Sequence, residues 1–226
     1  MSHRMHRFPF TLFLAAGLLL GASAPSAAGL TPDQAALLAD ADPAEVGKWK
    51  KKCAKCHGDD GISDDDEVPH LAGQNARYMF RQLLAFKNDA REGGRMNKTA
   101  RKLSDRDMAN LVALYSTTPL PPMRDEPVPA APALVTGGDP GRQLESCAKC
   151  HGDNGLGSNE KYDAPALAGM PYDYFVATME AFRDGSRAND DDGVMRDAAK
   201  ALTDAEMEAL ADYYLALGKR QRLPAN

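Results

Sequence analysis

The chain has few cysteines and few histidines, four and five in 226 residues. All four cysteines lie in two short motifs, so none is left for a separate disulfide or a free reactive thiol. Two of the five histidines fall within the first six residues, which leaves three for the rest of the chain. No alternation of apolar and polar residues stands out, so a β-sheet fold is not expected. Basic residues are in the minority, 27 against 32 acidic ones, which excludes the charge distribution typical of nucleic-acid binding.

The cysteines lie in a motif that occurs twice. Cys-Ala-Lys-Cys-His covers residues 53–57 and again 147–151, and Gly-Asp follows each copy. C-x-x-C-H is the attachment signature of a c-type haem, whose vinyl groups form thioether bonds to the two thiols. The pattern predicts two covalently bound haem c groups, attached through Cys53, Cys56, Cys147 and Cys150, with His57 and His151 as iron ligands. A disulfide, or a zinc site built from both C-x-x-C pairs, is the alternative.

The first 28 residues have the pattern of a cleavable secretory signal peptide. Arg4 and Arg7 precede a short apolar run at 8–20, and small residues are frequent at 22–28. The apolar run is short for a membrane span. Cleavage after Ala28 removes two arginines and no acid, so 25 basic residues then face 32 acidic ones and the formal charge changes from −5 to −7. The sequence therefore predicts an exported, periplasmic protein with an acidic surface.

The two motifs belong to a longer internal repeat. Pro69-His-Leu-Ala-Gly73 aligns with Pro165-Ala-Leu-Ala-Gly169, and Tyr78 aligns with Tyr174. Prolines are concentrated between the copies, where they prevent regular helix and predict an extended connector. The predicted organisation is a signal peptide (1–28), an N-terminal extension (29–42), a first domain (43–117), a proline-rich linker (118–136), a second domain (137–220) and a C-terminal tail (221–226).

Both copies are predicted to be helical. Helices are expected at 44–52, 75–88 and 104–116 in the first copy and at 141–146, 172–183 and 203–217 in the second. Ser104 and Thr203 are good N-caps followed by acids, and Thr31-Pro32 predicts a further short helix. A domain this small buries little apolar surface by itself, so each haem is expected to supply much of the core.

Methionine is the expected second ligand of each iron, because too few histidines remain. Met96 and Met195 are equivalent in the repeat and lie in loop-like stretches before the last helix, which favours them as ligands. Met108 and Met207 are also equivalent, but they lie inside that helix at core spacing and are the alternative pair. Four other methionines have no methionine counterpart in the repeat and are less favoured: Met79, Met123, Met170 and Met179. His70 is expected to be a surface loop residue.

Two further pairs of repeated residues have predicted structural roles. The carbonyl groups of Pro69 and Pro165 are expected to accept a hydrogen bond from the histidine of their motif and so to orient its ring. A glycine lies six residues before each motif and is predicted to permit close packing of an aromatic residue, Gly47 against Tyr115 and Gly141 against Tyr214.

Taken with residues 182–190 (Phe-Arg-Asp-Gly-Ser-Arg-Ala-Asn-Asp) and 195–202 (Met-Arg-Asp-Ala-Ala-Lys-Ala-Leu), these motifs resemble class I cytochromes c, and more closely their di-haem c4 type. The resemblance covers about residues 43–218. It implies an all-α fold of two tandem cytochrome c domains, each wrapped around one covalent haem, which face each other across a pseudo-two-fold interface. It also implies proximal ligands His57 and His151 and distal ligands Met96 and Met195.

One departure from the repeat concerns charge. Residues 48–52 form a nearly continuous basic run before the first motif, whereas Glu145 lies in the corresponding stretch of the second copy. The run is expected to be the solvated face of a helix, because isolated surface charges contribute little. A docking patch for a partner protein is the alternative.

Histidine and methionine together close the iron coordination, which favours electron transfer over catalysis. The resemblance implies a periplasmic carrier that passes single electrons from a quinol-oxidising respiratory complex to a terminal acceptor such as a haem-copper oxidase. The alternative is the di-haem subunit of a periplasmic dehydrogenase, for example a sulfide-oxidising flavocytochrome with a flavoprotein partner. A di-haem peroxidase is disfavoured by two symmetric methionine-bearing domains. Peripheral association with the membrane is a further expectation.

Overall fold

The computed structural model describes residues 29–118, 128–158 and 162–219, and the predicted signal peptide and C-terminal tail lie outside them. Helix α1 (Pro32–Ala39) precedes the first copy, which contains α2 (Gly47–His57), α3 (Ala76–Lys87), α4 (Arg95–Ala100) and α5 (Asp105–Thr117). Helix α6 (Ala133–Thr136) precedes the second copy, which contains α7 (Ala148–His151), α8 (Tyr172–Asp184), α9 (Val194–Ala201) and α10 (Asp204–Lys219). The described residues form no strand beyond two isolated β-bridges. The predicted all-α fold is confirmed, and none of the described helices is long and apolar enough to cross a membrane.

Three helices begin where the sequence predicts their N-caps. The hydroxyl groups of Thr31, Ser104 and Thr203 each accept a hydrogen bond from the backbone N–H three residues on. The side chain at that third position accepts in return from the backbone N–H of the cap residue. This reciprocal pairing satisfies two backbone donors that the first turn of a helix leaves open.

Each copy has its own hydrophobic core. In the first, α3 packs on α4 and α5, and Phe80 and Met108 are fully buried. In the second, α8 packs on α9 and α10, and Tyr214 and Met207, the equivalent of Met108, are fully buried. The two cores contain equivalent side chains from the two copies, as expected of a duplicated domain.

The predicted helix at 141–146 is wrong. The chain there makes a 3-10 turn over Pro140–Arg142, and Gln143 adopts the left-handed conformation with φ 56°. The backbone N–H groups of Asp139 and Leu144 donate to each other's carbonyl oxygens at 2.7 and 2.9 Å. This closed bridge places Leu144 in the core, where it is buried. The helix that carries the second motif therefore has only four residues, whereas α2 has eleven.

Segments outside the repeat also pack on the domains. In the predicted N-terminal extension, α1 lies against α5, and Leu37 and Leu38 contact the first core. In the predicted linker, α6 is helical rather than extended, and its Leu134 and Val135 are buried in the second core. The prolines at 119–127 lie outside the described residues, so the extended connector remains a prediction for that stretch.

The two domains meet at the start of α3. The Gln74 side-chain amide donates from Nε2 to the Ala166 carbonyl at 3.0 Å and accepts from the Ala166 N–H at 2.8 Å. Asn75, the N-cap of α3, donates from Nδ2 to the Ser158 carbonyl at 3.0 Å. These bonds satisfy backbone groups of the second domain with side chains of the first, so the interface is specific in register.

Arg81 joins α3 to two acids of the second domain. It lies 2.5 Å from Asp191 and 3.5 Å from Asp163, and the three side chains are 14%, 18% and 8% exposed. We expect Arg81→Gln to lower the free energy of unfolding by about 2–4 kcal/mol, because it leaves carboxylates buried without this charge partner. Asp163 keeps Arg77 at 2.6 Å. Denaturant titration of the Arg81→Gln protein, followed by circular dichroism, should show the two domains unfolding in separate transitions.

Arg101 provides the control for Arg81. It also lies 2.5 Å from an aspartate, Asp89, but these side chains are 51% and 60% exposed. Arg101→Gln should therefore cost less than about 1 kcal/mol and leave a single transition. Equal effects of the two substitutions would contradict the structural role given to Arg81.

Candidate haem sites

Each cysteine motif lies at the end of a helix. Cys53, Cys56 and His57 lie on the last turns of α2, and the second motif is carried by α7 and the residue before it. The residues that follow, Gly58 and Gly152, both have φ 79°, a conformation that glycine adopts without strain. At Gly58 a Cβ atom would lie 2.1 Å from the Ile62 carbonyl oxygen. Each helix therefore stops directly after its histidine.

Both histidines are buried and oriented by a proline carbonyl. The distance from Nδ1 to the carbonyl oxygen is 2.9 Å between His57 and Pro69 and 2.8 Å between His151 and Pro165. Because a carbonyl only accepts, Nδ1 carries the proton and Nε2 keeps its lone pair. Burial lowers the pKa of both rings, opposed in part by these hydrogen bonds. The structure thus contains both predicted hydrogen bonds and holds two neutral imidazoles, the form that binds iron.

The second motif borders an apolar cavity of about 400 Å³. Its lining includes Cys147, Cys150, His151 and Met195 among aromatic and aliphatic side chains. A cavity of this volume suits a cofactor. These residues fit a covalent haem, since they offer two thiols, a neutral imidazole and a thioether sulfur beside apolar walls. In the described residues no three His, Cys, Asp or Glu side chains form a metal-binding group, so the zinc alternative has no cluster to support it.

The two candidate methionine pairs, Met96 with Met195 and Met108 with Met207, lie in different surroundings. Met195 lines the cavity and Met96, its equivalent, is half-buried against the first core. Both lie in the first turn of a short helix, so the predicted loop conformation is wrong. Met108 and Met207 are fully buried in the cores, and Met207 does not line the cavity. Two unpaired methionines, Met170 and Met179, also line it.

The predicted close contacts at Gly47 and Gly141 are wrong. A Cβ atom on Gly47 would have no atom within 4 Å, and one on Gly141 would meet only Asp139. Other glycines face the aromatic residues instead: a Cβ on Gly61 would lie 2.7 Å from the Tyr115 ring, and one on Gly155 would lie 3.3 Å from the Tyr214 ring. The glycine six residues before each motif is therefore not the one that contacts the tyrosine, because each tyrosine packs on the loop after a motif.

The two tyrosine hydroxyls lie beside the first cysteine of each motif. Burial, reinforced by the neighbouring thiol, raises the pKa of Tyr115 and Tyr214 far above the ordinary value. Burial likewise raises the pKa of Cys53 and Cys147. These hydroxyl groups therefore stay neutral, and they present buried polar atoms beside the attachment sulfurs.

A reciprocal pair of contacts crosses between the domains beside the cavity. Arg91 donates from Nη2 to Tyr174 Oη at 2.8 Å, and Arg187 donates from Nη2 to Tyr78 Oη at 3.1 Å. Each arginine also covers the phenylalanine five residues before it, at 4.6 and 4.3 Å from the ring centroid. Because the two arginines and the two tyrosines are related by the same repeat spacing, the contacts have pseudo-two-fold symmetry.

Sequence reasoning did not assign these arginines to the interface. A signal was present, since Arg91 and Arg187 occupy equivalent positions in the repeat, as do Tyr78 and Tyr174. Burial raises the pKa of Tyr174, but the charges of the two arginines outweigh it and lower the value to about 8. Gln82 accepts from both arginines at 2.8 and 3.1 Å. The two arginine charges therefore favour the ionised form of Tyr174 at this interface.

Comparison with known proteins agrees with this geometry. The Cytochrome c family profile matches residues 48–118 and 139–217. A cytochrome c4 from Thiocapsa roseopersicina is 36% identical over 74% of this chain and 88% of its own. A thiosulfate dehydrogenase electron acceptor from Stutzerimonas stutzeri strain A1501 is 34% identical over 75% and 80%. The crystal structure of reduced recombinant cytochrome c4 from Pseudomonas stutzeri superposes with a TM-score of 0.70 at 29% identity, covering 78% of this chain and 98% of that one.

These comparisons cover both repeats and include both cysteine motifs. The predicted cofactors are confirmed: the chain binds two haem c groups covalently, through Cys53 and Cys56 and through Cys147 and Cys150. Such a protein transfers electrons and is not an enzyme by itself. The chain belongs to the cytochrome c family, as a di-haem electron carrier of the cytochrome c4 type.

Proposed function

We propose that this protein carries single electrons in the periplasm between a quinol-oxidising respiratory complex and a terminal acceptor such as a haem-copper oxidase. The observation that supports the proposal most directly is the pair of equivalent histidine sites joined by reciprocal contacts. Two one-electron centres in a compact pair suit a protein that accepts electrons at one surface and delivers them at another. The exported location rests on the signal-peptide pattern of residues 1–28.

We further propose that His57 and Met96 ligate the first iron and that His151 and Met195 ligate the second. The bound haem supplies reversible one-electron chemistry. Pro69 and Pro165 hold the imidazole rings in one tautomer and orientation, which lowers the rearrangement needed when the iron changes charge. The shared lining of the second cavity by His151 and Met195 supports this set.

A second candidate function is electron acceptance from a periplasmic sulfur-oxidising dehydrogenase. It is favoured by similarity to two thiosulfate dehydrogenase electron acceptors, at 34% and 33% identity. The dehydrogenase would oxidise the sulfur compound, and this chain would receive the electrons one at a time. A flavoprotein dehydrogenase is the related alternative.

The first test is purification of the protein from its own cells under mild conditions, followed by visible spectroscopy and a potentiometric titration. We expect two haems per chain, each titrating as a one-electron centre, with reduction by membranes supplied with quinol. Reduction only when thiosulfate and a soluble fraction are added would favour the sulfur-oxidising role, and a co-purifying flavin would favour a flavoprotein partner. A preparation without reversible haem bands would contradict every version of the proposal.

A further inference from the structure

Helix α2 carries a concentrated positive charge around the first haem motif. Five of its eleven residues are lysines and none is acidic. All five are exposed. At 3.6 residues per turn, Lys48, Lys51, Lys52 and Lys55 share one side of the helix and Lys50 lies apart from them; the five together are called here the lysine face. The protein as a whole is acidic, with a formal charge of −5, so this face stands out against its surroundings.

Ion pairs do not account for the lysine face. Among residues 29–118, 128–158 and 162–219, none of its lysines lies within 4.0 Å of a carboxylate in an ion pair. Lys48 and Lys52 lie over the Trp49 ring, at 5.4 and 5.2 Å from its centroid. Lys48–Lys52 and Lys51–Lys55 are like charges four residues apart on a helix, which repel each other. Lys48 also lies in the first turn, where the helix dipole disfavours a cation.

The second motif lacks such a face. Arg142, which aligns with Lys48, is neutralised by Asp139 at 2.7 Å and Glu206 at 2.8 Å. Lys149, which aligns with Lys55, pairs with Glu145 at 2.7 Å. The buried Leu144 replaces Lys50. The duplicated site therefore shows that haem attachment in this fold does not need unpaired lysines.

Lys52 and Lys55 directly precede the two cysteines of the first motif on the same helix. Cys56, an attachment point of the first haem, is exposed, whereas its equivalent Cys150 is half-buried. We propose that the lysine face is the docking surface for an acidic redox protein, which exchanges electrons with the first haem. This inference rests on the proposed electron-carrier function and adds the chemistry of the partner and the haem that it meets.

The observations favour a protein partner over an anionic lipid surface. Among the described residues the only large hydrophobic side chain that is clearly exposed is Leu156, and it belongs to the second domain. Trp49 is half-buried against the first core and is covered by its two lysines. Membrane-surface helices need an exposed apolar face in addition to cations, and α2 does not present one. Complementary charge without apolar insertion is typical of transient redox complexes.

The test uses the haem-loaded full chain and oxidised plastocyanin, an acidic blue-copper protein, as the probe. The triple variant Lys50→Gln, Lys51→Gln, Lys52→Gln is compared with Lys98→Gln, Lys102→Gln, Lys200→Gln, which removes the same charge from exposed positions elsewhere. Stopped-flow spectroscopy measures the second-order rate of oxidation of the reduced protein from low to high ionic strength. We expect the α2 triple variant to react about tenfold more slowly at low salt, with the difference vanishing at high salt. The control should change by less than about twofold.

Three outcomes would overturn the proposal. Equal rates in the two triple variants would show that acidic proteins dock elsewhere. Normal kinetics in the α2 variant with loss of binding to phosphatidylglycerol vesicles would assign the lysine face to a lipid surface. If the oxidation rate of the α2 variant still depended strongly on salt, acidic proteins would also be docking elsewhere. Failure of the electron-carrier function itself is distinguishable, because the unmodified protein would then show no reversible reduction. Thermal unfolding checks the fold, and the stability of the α2 variant should stay close to that of the parent, because relief of lysine repulsion offsets loss of the Lys52 contact with Trp49.

Discussion

Replacement of Met195 by histidine is expected to lower the reduction potential of the second haem by roughly 0.1–0.3 V, within the span of about 0.8 V that axial ligands cover. A thioether ligand favours the reduced iron more than an imidazole does, so its loss lowers the potential. The first haem should be almost unchanged, because Met195 lines the cavity beside the second motif. Met96→His should lower the potential of the first haem instead. Potentiometric titration with visible spectroscopy measures both.

Met207→Leu is the matched control for Met195→His. Met207 is fully buried in the second core, and its sulfur accepts a hydrogen bond from Arg183 at 3.3 Å. The substitution keeps most of the volume and should cost less than about 1.5 kcal/mol of stability. It should leave both potentials in place. A shift with Met207→Leu and none with Met195→His would transfer the ligand role to the alternative pair. No shift with either would direct attention to Met170 and Met179, which also line the cavity.

Gly218→Ala is expected to disrupt the second domain. Gly218 lies near the end of α10, and a Cβ atom there would lie 1.8 Å from the Gly169 Cα and 2.0 Å from its backbone nitrogen. Alanine gains about 1 kcal/mol in helix propensity. The clash with backbone outweighs this gain, because neither chain segment can move aside as a flexible side chain would. We expect a loss of at least about 3 kcal/mol, with the second haem site disturbed and the first retained.

Gly137→Ala separates this steric effect from a general intolerance of substitution. Gly137 has a negative φ of −103°, and a Cβ atom there would meet only the Ala133 carbonyl oxygen, at 3.2 Å. Its effect should stay within about 1 kcal/mol. Thermal unfolding followed separately in the far ultraviolet and in the haem bands would test both variants. A Gly218→Ala protein as stable as the parent would show that the close approach to Gly169 is not needed.

Elements governed by local chemistry were predictable from the sequence. The cap residues Ser104 and Thr203 placed the starts of α5 and α10 correctly, because an N-cap acts within its own turn. The histidine hydrogen bonds to Pro69 and Pro165 were also predictable, since both prolines follow their motifs at nearly the same distance in each copy. The haem attachment sites follow from the motif chemistry itself.

Features that depend on tertiary contacts were not predictable in the same way. Residues 141–146 have an acceptable helical pattern, but the bridge between Asp139 and Leu144 removes the backbone donors and acceptors that a helix needs. Gly61 rather than Gly47 contacts Tyr115, because the loop after the motif folds back on the last helix. No local rule indicates which arginine of one domain will meet which tyrosine of the other.

The crossed contacts of Arg91 with Tyr174 and of Arg187 with Tyr78 have a consequence for how the two copies could diverge after duplication. A change in either arginine alters a bond that the other copy depends on, so the inner faces can change only in concert. The outer faces are not constrained by these contacts. One copy has a long, lysine-rich helix before its haem, while the other has a short closed turn whose arginine is paired with acids. The symmetric interface between the domains therefore allows the two outer surfaces to differ and to contact different redox partners.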